Sequence, residues 1–185
     1  MRCPFLIGER LYLRAPDPSE VDDLIRWVTH PEVRRHLSRT APLTRAEEEA
    51  WLRGLDTRRD VVLVLVLREG ERAIGCVGLH GLGGPDRNAE LGISIGEPDA
   101  WGQGYGSEAI VLMLDHAFRE LNLHRVHLHV KATNPRAIAC YERLGFVREG
   151  VRREVHWQDG AWVDGVLMSI LDREWGARPQ AAPRA

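Results

Sequence analysis

The sequence has little of what would place it in several large classes. It holds three cysteines in 185 residues, Cys3, Cys76 and Cys140, odd in number and far apart. Neither a disulfide framework nor a zinc-ligand spacing follows, and reduced thiols in a cytoplasmic protein are expected. The formal net charge is −2, so no basic field points to nucleic acid as a partner. No uninterrupted apolar run reaches the roughly 18 residues a membrane span needs, and no membrane partner is expected. The opening MRCPFLIGERLYLR lacks the long apolar region and small-residue cleavage site of a signal peptide, and none is expected. No internal repeat and no second domain is visible. What remains is an ordinary globular composition, 44% apolar and 28% charged, in a length that suits one domain with a real core.

Strands and helices alternate along this chain. ERLYLRAP opens as a strand with Leu11 and Leu13 on one face, and Asp17 or Ser19 can cap a helix through Trp27. THPEVRRHLSRTAPL reads as a polar, broken connector. Thr44 and Glu47 form a capping box ahead of RAEEEAWLRGL. VVLVLVL (61–67) is a continuous β-branched run, expected as a buried strand, and AIGCVGLHGL returns as its hairpin partner. After the loop GGPDRN come the strand AELGISIG, the stretch WGQGYG, and a long helix. Ile110, Met113, Leu114, Ala117, Phe118 and Leu121 share one face of that helix. RVHLHVK alternates as a strand. Asn134 and Pro135 start a further helix that Gly145 stops. Two closing strands flank the Asp159-Gly160 turn, with Trp157 and Trp162 paired across it. The order implies a single α+β domain at 1–176, a mostly antiparallel mixed sheet of about seven strands flanked by about four helices. A flexible tail is expected at 177–185.

WGQGYG, Trp101 to Gly106, places permissive backbone just ahead of a helix. A helix N-terminus carries orphan N–H groups and about half a positive charge. Glycines there let those groups converge on an anion, so strand, glycine loop and helix together form a phosphate cradle. The spacing is G-x-G-x-G, with no following Gly-Lys-Ser/Thr, so neither common mononucleotide nor dinucleotide loop is matched. Read alone, the loop is also compatible with a tight strand–helix turn. About thirty residues on stands NPRAIACYERLGF (134–146), where Asn134 can cap its helix and offer an amide to a ligand. Tyr141 lies two turns further along the same face.

Together these residues resemble the GNAT superfamily of acetyl-CoA-dependent N-acetyltransferases. The family's phosphate loop is matched by Trp101-Gly102-Gln103-Gly104-Tyr105-Gly106, and its second motif by Asn134, Tyr141, Glu142, Arg143, Gly145 and Phe146. ERLYLRAP, AELGISIG with WGQGYG, and the closing DGVLMSILDREW are similar to the branch of ribosomal-protein N-terminal acetyltransferases. Trp101 departs from the general pattern, which has Gln or Arg there. No side-chain cation at that position then assists the pyrophosphate.

The resemblance implies a GNAT-like acyl-CoA N-acyltransferase fold and direct transfer of acetyl from acetyl-CoA to a primary amine in a ternary complex, with no metal. It implies cofactor contacts at Ile93, Ser94 and Ile95 beside the pantetheine arm. Gly102, Gln103, Gly104, Tyr105, Gly106 and Ser107 are then expected at the phosphates, and Asn134 and Ala137 on the following helix. It assigns Tyr141 as the acid or hydrogen-bond donor for the leaving thiolate. Glu90 is the candidate base, with His80 second and Ser94, opposite Ile93 and Ile95, third. His127 and His129 share a strand face, but no third ligand at supporting spacing stands out. The acceptor is a protein N-terminus or a small amine, and a homodimer is expected by analogy. Two other readings stay open: a non-catalytic acyl-CoA-sensing module, and a nucleotide-binding protein that uses the same loop.

Overall fold

The computed structural model describes residues 3–37 and 41–177. Strands β1 (Leu6–Ile7), β2 (Leu11–Arg14), β3 (Asp60–Leu67), β4 (Ala73–His80), β5 (Asn88–Ile95), β6 (Arg125–Lys131), β7 (Val147–Gln158) and β8 (Ala161–Leu171) form one sheet. Their order is β1-β2-β3-β4-β5-β6-β8-β7. Every neighbouring pair runs antiparallel except β5 and β6.

The continuous apolar run in β3 is explained by burial on both faces. Leu63 and Leu65 join one core cluster, Val64 and Val66 the other. Strands covered on both sides lose the polar alternation of half-exposed ones. The larger core lies under α4 (Tyr105–Asp115) and α5 (Pro135–Arg143), which contribute Ile110, Met113, Leu114 and Ile138. Each such fully buried side chain contributes about 1.5–3 kcal/mol. The smaller core lies under α1 (Val21–Thr29) and α3 (Arg45–Arg53), through Leu24, Trp27 and the half-buried Leu52. The sheet therefore separates an α4–α5 side from an α1–α3 side. Just past β5, a Cβ at Gly96 would sit 2.0 Å from Trp27 Cγ, so the indole packs directly on glycine backbone.

Caps act where the residue types place them. Asp17 Oδ1 accepts from the Ser19 N–H at 2.9 Å, opening a 3₁₀ turn that leads into α1. Thr44 Oγ1 accepts from the Glu47 N–H at 3.3 Å, while Glu47 Oε2 accepts from the Thr44 N–H at 2.8 Å. Trp157 and Trp162 pair across the final hairpin with ring centroids 5.1 Å apart.

Three elements depart from the sequence reading. The sheet has eight strands rather than seven, because β1 adds a two-residue pairing, Leu6 opposite Leu13 and Ile7 opposite Tyr12. Two residues are too short for any periodicity to register. The expected connector contains a helical turn, α2 (Pro31–Arg34), started by Pro31. Beyond β8, α6 (Asp172–Gly176) brings the helices to six among the described residues. Its Trp175 indole donates to Asp115 Oδ1 at the end of α4 at 3.0 Å. Of the tail expected at 177–185, all but Ala177 lies outside the described residues.

Candidate active site

The parallel β5–β6 ladder stops early. It pairs Asn88 with Arg125, Ala89 with Val126 and Glu90 with His127. Beyond that point β5 follows β4 to Ile95, and β6 follows β8 to Lys131. The two strands part while each keeps its outer partner, and a cavity of about 430 Å³ occupies the gap. Ala89 and Leu91 belong to the α4–α5 core, so alternation points Glu90, Gly92 and Ser94 to the α1–α3 side. The same logic applies to β6. Val126, Leu128 and Val130 are buried in the α4–α5 core, which turns His127, His129 and Lys131 the other way. The slot thus opens to both sides of the sheet.

On the α4–α5 side the cavity meets the glycine loop. Gly102, Gly104, Tyr105, Gly106 and Ser107 line it. Gly102 has φ +76° and Gly104 φ +85°, a left-handed backbone that glycine adopts without penalty. Gly104 is the N-cap of α4 and supplies no side chain to satisfy the first-turn N–H groups, which stay available to an anion.

The loop is braced from outside. Arg10 Nε donates to Glu108 Oε2 at 2.9 Å and Arg10 Nη1 to the Gln103 carbonyl at 2.8 Å, and its guanidinium lies 4.8 Å from the Tyr105 ring centroid. Arg72 holds Asp99 through bonds of 2.6 and 2.9 Å. The Trp101 indole donates to the Ile95 carbonyl at 2.9 Å. Position 101 itself supplies no cation, yet its ring carries one, with the Arg136 guanidinium 4.5 Å from the centroid and the residue lining the cavity.

Asn134 and Ala137 also line the cavity. Asn134 Oδ1 accepts from the Ala137 N–H at 3.2 Å, so its oxygen caps α5 while its amide nitrogen is left for a ligand. Ser107 Oγ, in the first turn of α4, and Cys140 Sγ, in the second half of α5, lie 3.1 Å apart and join the two helices. Ile93, Ser94 and Ile95 complete the β5 wall. Ser94 also borders a smaller cavity of about 200 Å³ with Trp27, Trp51 and Cys76 on the α1–α3 side. Gln103 is the one expected cofactor contact that does not line the slot. Its side-chain amide donates to the Asp99 carbonyl at 2.7 Å, so it braces the loop instead.

Tyr141 lines the cavity from α5, with its ring against Phe146 at 5.7 Å. Burial pushes its phenol up to about 12, so it stays protonated across the physiological range. Glu90 faces the slot from the opposite side of the sheet, and its Oε1 lies 2.7 Å from His129 Nδ1. The carboxylate and the imidazole thus form a pair across the two parting strands. Phenol and carboxylate–imidazole pair therefore approach one slot from two faces. His80 does not line the cavity and pairs with Asp60 at 3.0 Å.

His36, Lys131 and His156 were not singled out in the sequence, and His129 was read there only beside His127 as a possible metal ligand. His129 is the partner of Glu90. Lys131 is buried, and its Nζ donates to the Arg35 and Leu37 carbonyls at 2.9 Å each. That holds the chain after α2 over the end of the cavity, where His36 and Leu37 line it. His156 stacks near His129 with centroids 6.4 Å apart. Burial lowers both His36 and His156. Arg136, Lys131 and Arg35 push His36 down further, and Lys131, His129 and Arg152 do the same to His156. The signal was present in RVHLHVK, whose period of two sets Arg125, His127, His129 and Lys131 on one face. Among the described residues no group of three or more His, Cys, Asp or Glu is placed to hold a metal ion.

Residues 10–147 match the acetyltransferase (GNAT) domain family. The chain is 28% identical over 179 residues to the uncharacterised N-acetyltransferase p20 of Bacillus licheniformis, covering 92% of this chain and 97% of that protein. It is 38% identical over 102 residues to spermidine N(1)-acetyltransferase of Vibrio cholerae, covering 55% and 58% of the two chains. The crystal structure of spermidine N-acetyltransferase from Vibrio cholerae in complex with CoA and spermine is similar throughout. It has a TM-score of 0.84 and 28% identity, over 91% of this chain and 99% of that one.

Proposed function

The chain belongs to the GNAT acetyltransferase family and is an acetyl-CoA-dependent N-acetyltransferase, and we propose that the β5–β6 slot is where its acetyl transfer takes place. The observation that carries this reading is the early end of the β5–β6 ladder at Glu90 and His127, beside an uncapped glycine-led helix N-terminus. The phosphates of acetyl-CoA lie on the first-turn N–H groups of α4, with Arg136 as the nearby cation. The pantetheine arm runs along Ile93–Ile95, where its amides take up the strand bonding that β6 no longer offers.

The amine enters from the α1–α3 side. Glu90 and His129 accept its proton, directly or through water, as a positioned general base. The amine nitrogen attacks the thioester carbonyl. The C–N bond forms, the attacking nitrogen gives up its second proton to water, the tetrahedral intermediate collapses, and the C–S bond breaks with its electron pair on sulfur. Tyr141 stands on the other face and donates a hydrogen bond to that thiolate. The acceptor is a primary amine, on a protein N-terminus or a small molecule. Similarity at the chain ends to the ribosomal-protein branch supports the former.

Titration calorimetry with acetyl-CoA, against ATP and NAD as controls, tests the cofactor half of this reading. Binding of acetyl-CoA alone is expected. Binding of either nucleotide in its place would overturn it.

A further inference from the structure

The acceptor end of the cavity has an uneven charge. Among the described residues lining it, Glu90 is the one carboxylate, and it is already paired with His129. Facing it are His36 and Leu37 from the segment after α2, His129 and Lys131 from β6, and His156 from β7. Arg136 and Arg143 line the cavity from α5.

Two of these groups report the local field. His36 and His156 sit at this end, and in both the neighbouring cations add to burial in opposing protonation. With Lys131 in the lining and its one carboxylate among the described residues already paired, this end opposes a second ammonium group of a bound substrate. Lys131 has three N–H donors. Two of them meet the Arg35 and Leu37 carbonyls, which leaves one for a ligand.

Resting on the transferase reading above, we propose that the acceptor is an amine with no second positive charge that carries a carboxylate or similar anion within reach of Lys131. A free acidic amino acid and a peptide with an acidic residue beside its α-amine share this chemistry. A polyamine, with several ammonium groups and no anion, does not.

The test is steady-state thiol release from acetyl-CoA with four acceptors: free glutamate, a short peptide opening with an acidic residue, a plain alkyl monoamine, and spermidine. One of the two acidic amines should exceed spermidine in kcat/KM by more than tenfold at low salt, and the faster of them identifies the source. The gap should shrink several-fold near roughly 1 M salt, where screening acts within about 3 Å. Lys131→Met removes the charge but also frees two backbone carbonyls, so a second variant is needed. His36→Glu places a carboxylate in the field of Lys131 and should cut the acidic-over-spermidine ratio by at least tenfold.

Spermidine as the best acceptor, or a preference that neither salt nor His36→Glu moves, overturns the proposal while leaving the transferase reading intact. Acetyl-CoA binding with no thiol release for any amine overturns the transferase reading, and this inference with it.

Discussion

Replacing Tyr141 with Phe removes one hydroxyl from the slot and little else. The phenol is held up to about 12 by burial, whereas an alkyl thiol ionises near about 8.5. Outright proton transfer from one to the other would run uphill by about 3.5 units, or about 5 kcal/mol at about 1.36 kcal/mol per unit. A hydrogen bond from the neutral phenol to the departing thiolate carries no such cost. Bonds of that charged kind contribute about 1.5–3 kcal/mol. Because the sulfur is charged only as the C–S bond breaks, the loss should fall on kcat, by about 10- to 150-fold. The ring keeps its edge contact with Phe146, so KM for acetyl-CoA and the melting temperature should stay near the wild-type values. Thiol release at saturating amine, across a range of acetyl-CoA concentrations, separates the two parameters. An unchanged kcat, or a change confined to KM, would refute the donor role.

Glu90→Gln removes the charge that fixes His129, and kcat should fall by about 10²- to 10⁴-fold, the usual range for a general base. Acetyl-CoA affinity by calorimetry should hold, and a matching loss of affinity would contradict this assignment. Gly104→Ala forces a Cβ into a φ of +85°. It should cost about 1–2 kcal/mol, lower the melting temperature by about 2–8 °C and raise KM for acetyl-CoA; an unchanged KM would argue against phosphate binding at this loop. Burial and neighbouring cations hold His36, His127 and His156 below the ordinary histidine value. The unfolded chain therefore takes up more protons below about pH 6.5, and stability should fall as pH drops through that window. Melting temperatures that stay flat or rise between about pH 7.5 and about pH 5.5 would contradict those shifts. Arg14 and Glu20 form a buried bidentate ion pair, so Glu20→Gln should lower the unfolding free energy by about 3–5 kcal/mol. A urea midpoint equal to wild type would show that Arg14 finds another partner.

Local chemistry was the legible part of the chain. The glycines at 102 and 104 take the left-handed backbone their position called for, Asn134 caps α5, and both the Asp159-Gly160 turn and the Thr44–Glu47 box form. The β-branched run of β3 is buried on both faces. What escaped the sequence depends on pairing at long range. Glu90 and His129 lie on strands whose shared edge follows from the parallel register Glu90 opposite His127, and nothing local in either segment encodes that register. The same holds for Lys131, whose role is set by the Arg35 and Leu37 carbonyls nearly a hundred residues earlier. Gln103, expected at the phosphates, does not line the slot. Its side-chain amide is held by the Asp99 carbonyl, a contact within the loop that the glycine spacing does not reveal.

Acetyl transfer from acetyl-CoA to an amine in the β5–β6 slot, rather than mere holding of an acyl-CoA, is directly measurable. The most direct test follows thiol release from acetyl-CoA with and without a primary amine, with mass spectrometry of the amine product. Release that depends on the amine, an N-acetylated product in equal amount, and a sharp loss of both in Tyr141→Phe and Glu90→Gln are expected. Tight acetyl-CoA binding with no amine-dependent release and no acetylated product would contradict acetyl transfer and leave a sensing module in its place.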